Sequence, residues 1–397
     1  MTKYIICLGD GMADHNIQQL NEKTPLEVAH TPNIDFISKN GHLGMVDTVP
    51  EGFSPGSDVA NMGILGYDPN LYYTGRGPIE AASMNIKCKP SDIIFRCNIV
   101  NIENSIMKDF TAGHISTEES KQLIDELNIA FKNTPITFYN GVSYRHIMVV
   151  EQKYAKLITH APHDITDKNI KNYLPAGENS KEFLDIIKKA NNILNKSQTN
   201  LKRKQNSQKE ATSIWPWSQG TNPKMPSFKS KFKKTGGIIT AVDLLKGLGK
   251  LADLKTPNVQ GATGFIDTNY EEKVKEATNI LNSHDFCYLH IEAPDEAGHM
   301  GDVNLKIQAI EDFDKKVVGP ILDYQKENPD CVIMVLPDHP TPCDIKTHTH
   351  EPVPYCYYHK SIQSKSLKSY SEKNAKTTNN HFNTPWDLLN TFLSIKP

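Results

Sequence analysis

The chain has 397 residues with a formal net charge of −2, enough for one large domain or two ordinary ones with ample core. Near-neutral charge gives no compositional case for nucleic acid or an anionic membrane as the main partner. No apolar run approaches the ~20 residues of a transmembrane helix, and the N-terminus enters a strand without a leader-like segment, so cytoplasm is the expected location.

Taken in chain order, Tyr4 to Leu8 is a short apolar run that reads as a buried strand, followed by a loop carrying Asp10 and Asp14. A helix is expected around Asn33 to Asn40, and Pro55-Gly56-Ser57-Asp58 opens another that ends near Gly66. From Arg76 to Glu151 shorter alternating runs, such as Asp92 to Ile99 and Arg145 to Val150, suit a mixed α+β segment. Helical periodicity returns over Ser180 to Asn195, with Phe183, Ile186, Ile187, Ile193 and Leu194 on one side. The lysine-rich stretches Lys196 to Lys209 and Lys224 to Lys234 read as solvated loops. The α/β pattern then resumes: a strand at Ile238 to Ala241, helices at Val242 to Ala252 and Tyr270 to Asn282, a strand at Phe286 to Ile291, a helix at Asn304 to Tyr324, a strand at Cys331 to Leu336 and a final helix at Pro385 to Ser394.

Three of these strands run straight into acidic motifs: Gly9-Asp10-Gly11, the segment Glu292 to His299, and Pro337-Asp338-His339. Ligands of open α/β sheets bind beyond the carboxyl ends of the strands, which would bring the three motifs to one place. The first and third lie more than three hundred residues apart, which predicts a sheet interrupted by an inserted domain. The expected divisions are 1–75 as the first part of the main domain, 76–178 as the insert and 179–397 as the remainder, with basic loops near 196–234.

Asp10, Asp295, His299, Asp338, His339 and a histidine of Thr347-His348-Thr349-His350 are candidate metal ligands. Carboxylate plus imidazole without thiolate suits manganese, zinc, cobalt or magnesium. Asp295 and His299, four apart, share a helix face. Six donors exceed the needs of one ion and suggest a two-metal site. Ser57, at the start of a helix whose amides favour an anion, is the candidate nucleophile; it also reads as an N-cap. The seven cysteines are scattered and without a CxxC pair, and read as core thiols. Gly247 to Leu251 lacks phosphate-loop spacing, no GxGxxG follows a strand, and no GxSxG is present.

Arginine occurs only at 76, 96, 145 and 203 in a chain that otherwise uses lysine. Arg76, Arg96 and Arg145 stand in ordered-looking contexts where a planar bidentate fork would serve.

Read together, LGDGMAD at 8–14, PGSDVANMGILGYDP at 55–69, GRGPIEAAS at 75–83, EAPDEAGHMGD at 292–302, LPDHPTP at 336–342 and THTHEPVPY at 347–355 resemble the archaeal-type cofactor-independent phosphoglycerate mutases of the alkaline phosphatase superfamily. The resemblance covers nearly the whole chain. It implies an α/β fold with a mostly parallel, alkaline-phosphatase-like sheet sandwiched by helices, and a smaller inserted α+β domain closing over the site. It implies two divalent ions, manganese foremost with magnesium, zinc or cobalt as alternatives, and no 2,3-bisphosphoglycerate. One ion would sit on Asp295, His299 and His348, the latter chosen over His350 because it stands four residues before Pro352-Val353-Pro354. The other would sit on Asp10, Ser57, Asp338 and His339.

The implied reaction moves a phosphoryl group from 3-phosphoglycerate to Ser57 and back to the 2-hydroxyl, with Arg76, Arg96 and Arg145 as clamps. Asp109, His114, His163 and Asp164 are the polar candidates of the insert, His163 and Asp164 for proton transfer and Asp109 and His114 for contact with substrate. The expected partner is a small phosphorylated molecule and the expected state a monomer or small homo-oligomer. One departure stands out: Ala211 to Gly220, containing Trp215 and Trp217, replaces a stretch in which archaeal mutases tend to carry an arginine. It looks like a bacterial branch proposed to phosphorylate homoserine, which leaves a homoserine kinase as the alternative and a metal-dependent phosphatase as a further one. The tryptophans themselves read either as core or as substrate contacts.

Overall fold

The computed structural model describes residues 2–362 and 365–396. The chain divides into two compact units, one made of Met1–Tyr73 with Met225–Pro397 and the other of Thr74–Lys224. Among the described residues the strands are, in chain order, β1 Lys3–Gly9, β2 His42–Val46, β3 Ile93–Glu103, β4 Ile106–Asp109, β5 Thr137–Tyr139, β6 Arg145–Val150, β7 Ser213–Gly220, β8 Gly236–Ile239, β9 Phe286–Ile291, β10 Cys331–Leu336, β11 Val353–Tyr358 and β12 His381–Phe382.

The first unit is built on a seven-stranded sheet of order β12-β2-β11-β10-β1-β9-β8. Pairing is parallel from β8 through β9 and β1 to β10, and antiparallel where β11 joins β10 and β2. Apolar residues line both faces of the central strands because helices cover both. Ile5, Cys7, Leu289, Ile333 and Val335 pack with Tyr270, Ala277, Ile280, Ala309, Ile310 and Phe313 from helices Tyr270–Ser283 and Val303–Phe313. On the opposite face Tyr288 reaches Asn61 of helix Ser57–Ile64, and Tyr4 meets Phe392 of helix Pro385–Ser394 edge-on at 5.5 Å. The expected α/β architecture with a mostly parallel sheet between helices is the one observed. No helix among the described residues is long and apolar enough to cross a membrane.

The second unit is an antiparallel sheet in which β3 pairs with β6, β4 and β7, and β5 with β6. The period-two alternation of β3 sorts its side chains: Phe95, Cys97 and Ile99 enter a core with Leu123, Leu127, Phe183 and Ile187 of helices Thr117–Phe131 and Ser180–Leu194. Ile94 packs on the other face with Ala81 of helix Arg76–Ser83.

Three expectations are corrected. The insert does not end at 178: helix Ser180–Leu194 and β7 belong to the second unit, which runs to Lys224, because β7 completes the sheet along β3. The lysine-rich 196–209 stretch is a helix, Gln198–Gln205, with Thr199, Asn200 and Arg203 buried, and 224–234 includes helix Phe228–Phe232. In both, the lysines face solvent while a few residues pay the helix's way by burial: Arg203 bonds Glu119, Ala112 O and Lys209 O, and Phe228 stacks on Phe286. Finally, the helix expected over 304–324 is interrupted by a π turn at Asp314–Val318 before helix Gly319–Glu327.

Candidate metal centre and anion cluster

The parallel register places Leu8 beside Leu336 and Gly9 beside Ile291, so β1, β9 and β10 end level and their motif loops meet. Asp10 follows β1 directly. Pro294 opens helix Ala293–Met300, which Gly301 ends in the left-handed region at φ 69°, and Asp295 and His299 lie one turn apart with Oδ2 and Nε2 separated by 3.2 Å. Asp338 and His339 follow β10, and His348 reaches in from the loop before β11, its Nε2 3.0 Å from that of His299 and 3.5 Å from Asp295 Oδ1. His350 is exposed.

Two groups of donors therefore form: Asp295, His299 and His348, and Asp10, Asp295 and His339, each with ligand atoms within 4.8 Å of one another. Asp338 and Ser57 border the second. His339 Nε2 lies 3.3 Å from Asp338 Oδ2, 3.6 Å from Asp10 Oδ1 and 3.1 Å from Ser57 Oγ.

Several neighbours that sequence reasoning missed orient these donors. His290, buried within β9, bonds Asp10 Oδ2 at 2.8 Å and faces Thr240 Oγ1 at 3.2 Å. Burial pushes the His290 imidazole down to about 3; it is neutral, so Nε2–H donates to Asp10 and Nδ1 accepts from Thr240. Thr341 donates its hydroxyl proton to Asp295 Oδ1 and faces His339 Nδ1 at 3.3 Å, so Nδ1–H donates to Thr341 and Nε2 keeps its lone pair. His299 Nδ1 faces Lys346 O at 3.0 Å, which only accepts, and its Nε2 is likewise directed inward. Asn61 donates to Asp338 Oδ2 at 2.8 Å and is itself held by the Tyr288 hydroxyl. The buried Lys306 ammonium ties the first and third motif loops together through Ala13 O, Asp14 Oδ2 and Thr341 O.

The donor set fits a divalent cation. Asp10 Oδ1 is buried and accepts no hydrogen bond. Burial, followed by the charges of Asp338 and Asp295, raises the Asp10 carboxyl well above its usual range, which is the cost of gathering carboxylates in a dry site without a cation. The inward Nε2 atoms of His299 and His348 need positive charge between them. The hydrogen bond to Asp295 pushes His299 up to about 9, the same demand expressed as proton affinity.

In the second unit Arg76, Arg96, Arg145 and His163 form an electropositive group. Arg76 Nε and Arg96 Nε approach the two oxygens of Glu80 at 3.0 and 2.9 Å. Burial pushes Arg96 down to about 10, Glu80 opposing it and Arg76 and Arg145 reinforcing it. His163 is half-exposed, edge-on to Trp217 at 5.4 Å and to Phe110 at 6.0 Å. Desolvation holds its imidazole below the usual range, Asp164 pulling upward and Arg96 and Arg76 downward. Asp109 and His114 are not brought into this group. Asp109 accepts from Thr111 and pairs with Lys209 at 2.8 Å, while His114 is exposed in a turn. Both serve the β4 turn, where short polar residues capture backbone groups.

Fold and site together define a class: an α/β protein with a buried carboxylate–imidazole cluster suited to divalent cations and a serine-headed helix at the carboxyl edge of a mostly parallel sheet. Comparison with known proteins gives the family. A family profile described as 2,3-bisphosphoglycerate-independent phosphoglycerate mutase matches residues 38–200. A protein of that name from Methanosarcina barkeri is 47% identical over 94% of this chain and 95% of its own. One from Geobacter sulfurreducens, named a probable member, is 44% identical over 94% and 95%. The solved structure of PH0037 protein from Pyrococcus horikoshii is similar at a TM-score of 0.82 with 28% identity, covering 99% of this chain and 96% of that one. The cofactor-independent phosphoglycerate mutase of Thermoplasma acidophilum, at 0.68 and 23% identity over 99% of both chains, shares the fold. The chain belongs to the 2,3-bisphosphoglycerate-independent phosphoglycerate mutase family.

Proposed function

We propose that this chain interconverts 3-phosphoglycerate and 2-phosphoglycerate, without 2,3-bisphosphoglycerate, through a phosphoserine at Ser57. The observation that carries the reading is the placement of Ser57 Oγ 3.1 Å from His339 Nε2, at the head of helix Ser57–Ile64 and beside a buried carboxylate–imidazole cluster. The helix N-terminus favours the phosphoryl anion.

Asp295, His299 and His348 would hold one divalent ion and Asp10, Asp338, His339 and Ser57 the other, manganese being the foremost candidate. Such ions, when bound, lower the pKa of a hydroxyl and neutralise charge on a transferring phosphoryl group. Ser57 Oγ, its hydroxyl proton already given up, bonds to phosphorus as the bond from phosphorus to O3 of the substrate breaks, and O3 takes up a proton to leave glycerate. Glycerate then turns, its O2 loses a proton and bonds to phosphorus, and the Ser57 bond breaks. Arg76, Arg96 and Arg145 bind the phosphate and carboxylate, and His163, with Asp164 beside it, serves the proton transfers at the two hydroxyls. Asp109 and His114 are assigned structural parts in place of substrate contact. The reaction takes place in the cytoplasm, in a monomer or small homo-oligomer.

The test supplies manganese-loaded protein with 3-phosphoglycerate in one assay and with homoserine plus ATP in another. Formation of 2-phosphoglycerate without added bisphosphoglycerate is expected, together with a loss on the order of 10⁴-fold or more in Ser57→Ala. Phosphohomoserine as the only product, or inorganic phosphate as the main one, overturns the reading in favour of a kinase or a phosphatase.

A further inference from the structure

The segment Trp215 to Gly220, part of β7, carries an irregularity in the second unit's sheet. Along β3 and β7, Ile94 lies opposite Gly220 and Arg96 opposite Trp217, so β7 holds one more residue than β3 across this interval. The bulge contains Ser218, which sits in the left-handed region at φ 47°. Bulges re-aim the side chains on either side of them. Here one flank is Trp217, whose indole lies under the Arg96 guanidinium at 4.8 Å. The other consequence falls on Ser218, whose Oγ accepts the backbone N–H of Arg76 at 3.1 Å, at the first residue of helix Arg76–Ser83. Gly75, just before it, has φ 141°, and a Cβ there would collide with the carbonyl of Gln219. The bulge therefore locates both arginines that share Glu80.

Arg96 depends on this support. It is 7% exposed, and although Glu80 Oε2 lies 2.9 Å from its Nε, no hydrogen bond is aligned on that nitrogen. Charge draws the two side chains together without fixing the plane of the guanidinium. The indole face does fix it, since a cation over an aromatic ring is held parallel to or above the π surface. Trp217 is itself pinned, its Nε1–H donating to Asn98 Oδ1 at 3.1 Å, and Asn98 bonds Phe110 O from the same face of β3.

We propose that Trp217 is a positioning residue: through the β7 bulge it sets the plane of Arg96 and so fixes the geometry in which the arginine group receives the anionic end of the substrate. The proposal rests on the mutase reading for its substrate, 3-phosphoglycerate. Trp215, whose Nε1–H donates to His160 O within the apolar cluster, has the core role alone.

The test compares wild type, Trp217→Leu, Trp217→Phe, Arg96→Lys and the double variant Trp217→Leu/Arg96→Lys as full-length manganese-loaded proteins. It measures calorimetric affinity for 3-phosphoglycerate beside kcat and KM. Trp217→Leu is expected to weaken binding and raise KM roughly tenfold with kcat changed less than about twofold. Trp217→Phe, which keeps a ring face, should restore affinity to within about threefold of wild type. The double variant should bind about as weakly as Arg96→Lys alone, because both changes spoil one element. Wild-type affinity in folded Trp217→Leu, or losses that multiply in the double variant, overturn the proposal while the mutase reading stands. A wild type that turns over no 3-phosphoglycerate overturns that reading, and one that also binds none overturns both. Should the leucine variant fail to fold, Trp217→Met takes its place and the same loss is required of it.

Discussion

At the scale of single residues, the candidate metal donors that the fold gathers could be read from the chain and the groups that aim them could not. Asp10, Asp295, Asp338 and His339 follow short apolar strands, where a carboxylate has no structural reason to cluster. His290 sits inside such a strand, and a buried histidine there is indistinguishable in sequence from a satisfied core residue. Its role appears only when Asp10 Oδ2 is found 2.8 Å away. Replacing His290 with leucine should leave the fold in place and reduce manganese affinity by about 10- to 100-fold, which a calorimetric titration of the metal-free protein measures. His146 offers a residue-scale prediction of another kind. Its Nδ1 accepts from Gly141 N–H at 3.2 Å, and its Nε2 has no partner in the core of the second unit. Burial pushes the imidazole down to about 3, against about 6.5 in an unfolded chain. Above pH 6.5 both states are neutral and stability is flat. As pH falls from there toward 3, the unfolded chain gains a proton that the native one refuses, so stability declines, by up to about 1.4 kcal/mol per pH unit. Denaturant unfolding across pH 4–8 should show this slope in wild type and a shallower one in His146→Leu.

At the scale of elements, helices with one apolar face and strands with continuous apolar runs were legible, and interruptions were not. The π turn at Asp314–Val318 within the expected helix over 304–324 leaves no mark in the sequence because a single widened turn barely disturbs the hydrophobic period. Its use lies elsewhere: the Asp314 carboxylate, 1% exposed, takes the backbone N–H groups of Asn33 and Ile34 at 3.3 and 2.7 Å, at the start of helix Pro32–Asn40. Asp314→Ala is expected to cost about 2–3 kcal/mol, read as a lower denaturation midpoint of the first unit. The strands β2, β7 and β11 also escaped reading, since β7 and β11 contain proline and none shows a clean alternation. Proline in β11 sits at Pro354, opposite Met45 in an antiparallel pair. The lysine-rich stretch hid a different lesson: it reads as a solvated loop, yet its Arg203 is 2% exposed and bonded at all three guanidinium nitrogens.

At the scale of the whole molecule, the interrupted sheet was predictable from the distance between the first and third motifs, whereas the end of the insert was not. The return of helical periodicity at Ser180 looks like a boundary, and the pairing of β7 with β3 shows that the second unit extends to Lys224. All the candidate metal donors belong to the first unit and His146 to the second. Calorimetric unfolding of the metal-free protein should therefore resolve two transitions, of which manganese at about 100 times its Kd raises only one, by about 2.7 kcal/mol of stability. An equal shift of both would show that the units melt together.

The placement of β1 between β9 and β10 also dictates a timetable. A ribosome releases Tyr4 to Leu8 first, but the strands that flank this segment emerge some three hundred residues later, while Thr74–Lys224 is a continuous stretch that carries all its own pairing partners. The middle of the chain can thus complete its fold during synthesis, with the apolar first strand still waiting, its unpaired edges open to nascent neighbours and to chaperones. The last-made third of the protein is what closes the first-made part.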